Sequence, residues 1–95
     1  SVLEFILRLV TATRTEAEFK AGISVRGGLA LRTAAQARAL LQGRDFVVPA
    51  DVQEMAAPVL VHRLALARQT SDALEERRTV IAALKRIIGA IAVPE

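Results

Sequence analysis

Between Gly28 and Gly43 lie fourteen residues, 29–42, with five alanines, four leucines and neither glycine nor proline. Alanine and leucine lose little side-chain freedom in a helix, so one regular conformation is open to such a stretch, an α-helix. Ser24, upstream, supplies a hydroxyl suited to cap its first turn. Gly43 stands where a left-handed residue is wanted to end it. The apolar residues cover most of the circumference, which predicts a central helix packed on several sides.

Three more helices surround this one. Over residues 2–14, Leu3, Ile6, Leu7 and Val10 recur at helical spacing, and Glu4 and Arg8 form an outward pair one turn apart. Residues 15–22 are a polar connector. After Gly43, the residues Phe46, Val47 and Val48 predict a short extended piece. Pro49 then opens a third helix whose start is complemented by Asp51 and Glu54. Val52, Met55, Ala56, Val59, Leu60 and Arg63 continue one of its faces, and Pro58 inside it removes a backbone donor and predicts a kink. A fourth helix opens at Asp72 with Glu75 in a capping-box arrangement, and Leu74, Ile81, Leu84, Ile88 and Ile91 form its apolar seam. Gly89 is an early stop signal and Pro94 the final one. The expectation is an all-α, four-helix bundle-like domain over residues 1–95, with a very short extended segment.

At 95 residues the chain has room for one core, and with 53% of it apolar it is no disordered polypeptide. The absence of cysteine excludes disulfides, thiolate metal sites and cysteine nucleophiles, and suits a cytoplasmic location. No apolar run approaches the roughly 18 residues of a membrane span. Glu4 interrupts the apolar N-terminus, which lacks the basic start of a secretory signal. The net charge is +3 with acids interspersed throughout, too weak a bias for nucleic-acid binding. Eleven of the thirteen basic residues are arginine, which points to sites where a planar cation is wanted.

Chemistry is conspicuous by absence. There is no Gly-x-x-x-x-Gly-Lys-Ser/Thr loop to wrap a triphosphate, and no apolar run ending in paired carboxylates for Mg²⁺. The lone His62 has no second histidine or cysteine with which to hold a metal. No catalytic residue is identified, and the chain alone is expected to have no activity.

Two segments carry more information. One is Gly22-Ile-Ser-Val-Arg-Gly-Gly-Leu29. The other is Ala39-Leu-Leu-Gln-Gly-Arg-Asp-Phe-Val-Val-Pro-Ala-Asp-Val52, a helix, a tight turn, an extended piece and a new helix. The second resembles the joint in lids of AAA+ ATPases, including those similar to magnesium chelatase and to MoxR. Ala57-Pro-Val-Leu-Val-His-Arg-Leu64 and Leu9-Val-Thr-Ala-Thr-Arg14 narrow the resemblance to the MoxR group. It is strongest over residues 22–64. The resemblance implies a C-terminal lid that closes over ATP and Mg²⁺ held by an N-terminal AAA+ core domain. It further implies a homo-oligomer, a hexamer in such ATPases, and client proteins that often carry von Willebrand A-type domains. The family's "sensor 2" arginine, which reaches the nucleotide phosphates, matches Arg26. That position falls on the second residue of the helix, where free N–H groups already favour an anion. The family more often has proline where this chain has Val25, and a small side chain in place of Gly27.

Judged without the resemblance, Arg26 reads as a solvated first-turn residue. Gly27 and Gly28 permit either a close approach or a late helix start. Arg44 is a secondary candidate, against a neighbouring subunit or the nucleotide edge, with a solvated turn as its simpler reading. His62 and Arg63 match a family pair and read as structural, bonding a carbonyl freed by Pro58. Asp51 reads as a helix-cap acid and not a metal ligand, and Glu75, Glu76, Arg77 and Arg78 as a solvated face. Two other function classes stay open: a helix-turn-helix DNA binder using the second and third helices, and a structural dimerisation bundle using the fourth-helix seam.

Overall fold

The computed structural model describes residues 2–68 and 72–91. In chain order these form α1 (Val2–Thr15), β1 (Phe19–Ala21), α2 (Val25–Leu41), α3 (Pro49–Leu60), a 3-10 turn (Val61–Arg63), β2 (Ala65–Leu66) and α4 (Ala73–Ala90). The four expected helices are present. The two strands pair antiparallel, Phe19 opposite Leu66 and Ala21 opposite Ala65, and so tie the α1–α2 connector to the segment after α3. The sequence suggested no such pairing, only a short extended piece at 46–48. Val48 is extended (φ −111°, ψ 161°), but the 46–48 piece joins no sheet among the described residues. Three residues are too few for an alternating pattern to show, and the polar run around Phe19 disguises that its ring is buried.

The core lies between all four helices, with Phe5, Leu9, Ile23, Leu31, Leu60 and Leu84 among its fully buried side chains. In α1 the buried stripe is Phe5, Ile6, Leu9, Val10 and Thr13, so the helix is rotated from the face expected of it. Leu3 and Leu7 point outwards and are more than half exposed. Both stripes are apolar, and the larger Phe5–Leu9 surface goes inside.

The α2 helix buries a single stripe at intervals of four, Gly27, Leu31, Ala35 and Ala39. Its main neighbour is α3. Small residues in that stripe let the two helices approach, while Val25, Leu29, Leu40 and Leu41 remain exposed. The expectation of a central helix packed on several sides is therefore corrected.

In α3, Val52, Ala56 and Leu60 are buried. Pro58 does not kink a longer helix. It stands in the last turn, where its missing N–H leaves the Glu54 carbonyl without its helical donor, and the chain tightens into the 3-10 turn that carries an exposed Arg63.

Asp72 caps α4 by accepting from the Leu74 and Glu75 amides. The helix continues through Gly89, and the stop expected at Pro94 lies outside the described residues. Its buried face is Val80, Ala83, Leu84 and Ile87, one step round from the expected seam, and Leu74 is exposed. That face enters the chain's own core, which removes the basis for a dimer built on it. No described helix is long and apolar enough to cross a membrane.

Candidate functional site

The start of α2 presents Arg26. Ser24 adopts an extended conformation (φ −74°, ψ 167°), and its hydroxyl accepts from the Gly27 amide at 3.1 Å. Its carbonyl accepts from the Gly28 amide at 3.0 Å, so the helix starts early and includes both glycines. The amides of Val25 and Arg26 precede these two, and neither donates to an acceptor among the described residues. The Arg26 side chain is exposed and likewise has no ion-pair partner among the described residues. The close approach that the two glycines allow is internal. A Cβ on Gly27 would come within 2.8 Å of Ile23 Cγ2, and one on Gly28 within 3.3 Å of Val10 Cγ2.

The residue before the cap, Ile23, is fully buried and held from both sides by α1. The hydroxyl of Thr13, itself buried, donates to the Val10 carbonyl at 2.7 Å and accepts from the Ile23 amide at 3.0 Å. Nε of Arg14 donates to the Ile23 carbonyl at 3.0 Å. Gly22 passes so close over α1 that a Cβ there would collide with the backbone of Arg14. Both backbone polar groups of Ile23 are thus satisfied by adjacent residues of one helix.

The other end of α2 is built around a carboxylate. Gly43, at φ +80°, closes the helix, with its amide on the Leu40 carbonyl and the Arg44 amide on that of Ala39, both at 2.9 Å. This pair of bonds is a Schellman turn, which reverses the chain and aims Arg44 at the start of α3. Asp51, 0% exposed, accepts there from Arg44 Nη1 and Nη2 at 2.7 and 2.8 Å, Arg38 Nη1 at 2.6 Å and the Val48 amide at 2.8 Å. The hydrogen bonds from Arg44 hold the Asp51 carboxyl well below the usual carboxylate range, with Val48 and Arg38 assisting against the effect of burial. Arg44 in turn is raised above its ordinary value by Asp51. Its guanidinium also caps the Phe46 carbonyl and lies 5.8 Å from the Phe46 ring centroid.

Residues 11–85 match the family model of the AAA lid domain. The chain is an AAA lid domain. The lid is 39% identical to the uncharacterised protein YeaC of Bacillus subtilis (strain 168), over 99% of the lid and 28% of that protein. It is 33% identical to the chaperone MoxR1 of Mycobacterium tuberculosis, over all of the lid and 27% of that protein. A crystal structure of a Cytophaga hutchinsonii protein proposed to be an ATPase superposes with a TM-score of 0.81 at 28% identity, covering 99% of the lid and 30% of that chain. The lid therefore spans a little over a quarter of the length of its curated relatives.

Within the lid, Arg26 stands in the first turn of α2 and Arg44 beyond its other end, roughly 25 Å apart by helical rise. Arg44 is committed to Asp51 and Phe46, and Asp51 does more than cap a helix. His62 is exposed and bonds no carbonyl among the described residues, while the stem of Arg63 lies against Gly27. Reading the sequence alone missed Arg38 as a partner of Asp51, thirteen residues away, because only the α2–α3 reversal brings them together. It also missed Thr13 and Arg14. Both stand in the Leu9–Arg14 segment that carries the family resemblance, but nothing in that segment shows that they reach Ile23.

Proposed function

We propose that this lid serves a MoxR-like AAA+ ATPase and that Arg26 contacts the phosphates of ATP bound by that enzyme's core domain. The observation that carries this reading is the geometry at the start of α2. An uncommitted guanidinium shares the first turn of a seventeen-residue helix, its positive end, with two free backbone amides. Each favours an anion, and together they suit one phosphate group. Arg14, Arg38, Arg44 and Arg86 donate within the chain. Arg8, Arg32, Arg63, Arg77 and Arg78 share Arg26's lack of a partner among the described residues, but none of them stands in the first turn of an α-helix. Hydrolysis chemistry and Mg²⁺ ligation belong to the core domain. The lid's own residues orient a phosphate through planar, charge-assisted hydrogen bonds and help to shield it from water.

The same reading accounts for the corner between α2 and α3. Rigid-body movement is one way for a domain to report nucleotide state, and Asp51 suits it by tying both helices to one carboxylate. Movement of α2 towards a phosphate therefore carries α3 with it, towards neighbouring subunits of an oligomer or a client protein. The DNA-binding alternative loses support, since α3 buries Val52, Ala56 and Leu60 and opens on a carboxylate engaged by two arginines.

The test is Arg26→Ala in the ATPase that carries this lid. A charged hydrogen bond contributes about 1.5–3 kcal/mol, so turnover should fall by roughly ten- to a few-hundred-fold if the contact tightens in the transition state. The melting temperature should hold, because an exposed first-turn side chain removes little packing. Arg26→Lys should rescue poorly, a point charge being unable to reproduce the planar fork. Normal turnover at an unchanged melting temperature would return Arg26 to the solvated surface.

A further inference from the structure

We propose that Thr13 and Arg14, at the end of α1, are positioning residues that fix the direction in which Arg26 leaves the fold. The inference rests on the phosphate-contacting reading of Arg26 and deepens it. Ile23 is the residue before the N-cap, so the orientation of its peptide groups sets where Ser24, and then the first turn of α2, begin. Thr13 holds its amide and Arg14 its carbonyl, from consecutive positions on one rigid helix. The Ile23 side chain is wholly buried beneath Gly27, so the turn is clamped at backbone and side chain alike. Gly22 contributes by letting the connector pass directly over the Arg14 backbone. No such clamp acts on Arg26 itself, whose aim depends on this turn.

Arg14 acts here through Nε as a hydrogen-bond donor and not through its charge. That distinction is testable with side chains of matched length. Glutamine places an amide nitrogen where Nε stands and keeps the bond while dropping the charge. Methionine keeps the stem and drops the donor. At Thr13, serine keeps the hydroxyl and valine removes it.

The experiment uses the full-length ATPase and measures kcat, KM for ATP, melting temperature and hydrogen exchange of the peptide covering residues 22–28. Arg14→Met and Thr13→Val should lower kcat about ten-fold or more, within the roughly 10²-fold that a misplacement of about 1 Å can cost. Both should speed exchange across 22–28. Arg14→Gln and Thr13→Ser should remain within about two-fold of the parent in both measurements. Combined with Arg26→Ala, Arg14→Met should lower kcat by no more than about two-fold further, since residues that act through one another are not additive. Equal losses with and without Arg26 would show a general structural role and overturn the inference, as would a Gln variant as poor as Met. Unchanged exchange in Arg14→Met would overturn it too. Should Thr13→Val not fold, the Arg14 pair carries the test. A normal rate for Arg26→Ala alone, with exchange still raised in Arg14→Met, would sink the phosphate reading while leaving the clamp on the turn intact.

Discussion

Arg44 holds both oxygens of Asp51, Nη1 lying 2.7 Å from Oδ2 and Nη2 2.8 Å from Oδ1, across the corner where α2 gives way to α3. Arg38 approaches Oδ1 from α2 itself at 2.6 Å. Removing the carboxylate leaves two guanidinium groups facing each other with no counter-charge. Asp51→Ala should therefore cost about 3 kcal/mol, the low end for a broken buried pair, because each arginine keeps about a quarter of its surface in water. Urea denaturation measures it, and a loss below about 1 kcal/mol would mean the cluster is decorative.

The same carboxylate sets an acid limb. Its pKa is lower folded than unfolded, so the unfolded state binds the proton more readily. The stabilisation is complete above the unfolded value of about 3.9 and is lost as pH falls towards the folded one. Stability of the parent should decline from about pH 5 downwards. In Asp51→Asn that decline should be shallower, although the variant is less stable at neutral pH. Parallel acid limbs in the two proteins would assign the decline to other carboxylates.

Two glycines should respond to alanine with opposite signs. Gly89 is exposed in the last turn of α4, with nothing within 4 Å of a would-be Cβ, and Gly89→Ala should add up to about 1 kcal/mol. Gly43 is just as open, but at φ +80° its backbone is left-handed, and Gly43→Ala should cost about 1–2 kcal/mol. Thermal unfolding of both variants reads the difference. Equal shifts would show that the Schellman turn is not retained.

Docking of α4 should depend on its buried face rather than on its surface ions. Leu84 is fully buried, and Leu84→Ala should cost about 2–5 kcal/mol. Arg86 reaches Glu16 at 3.3 Å and Glu18 at 2.7 Å but is half exposed. Arg86→Ala should move the denaturation midpoint little, and that little should fade with added salt. A large, salt-insensitive loss at Arg86 would reverse the ranking.

By itself the lid should bind ATP no better than about millimolar, since one arginine and one helix terminus engage only part of a triphosphate; that corresponds to roughly 4 kcal/mol. Calorimetry on the isolated chain checks this, and micromolar affinity would point to a fuller site than the start of α2. Duplex DNA in the same titration should bind weakly and be displaced by salt. Tight binding at physiological salt would revive the helix-turn-helix reading.

The sequence by itself determined the four helices, the caps at Ser24 and Asp72, the stop at Gly43 and the position of Arg26 on the second residue of α2. Each of these depends on a few neighbouring residues, which is why each is legible locally. Tertiary structure decided the rest. It chose Phe5 and Leu9 over Leu3 and Leu7, and Val80 and Ile87 over Leu74 and Ile81, because adjacent apolar stripes look alike until something packs on one of them. It paired Phe19 with Leu66 across more than forty residues. It also brought Arg38 and Arg44 to Asp51, and Thr13 and Arg14 to Ile23. Spacings of seven to thirteen residues across a chain reversal carry no periodic signal. Only a chain reversal gives them meaning.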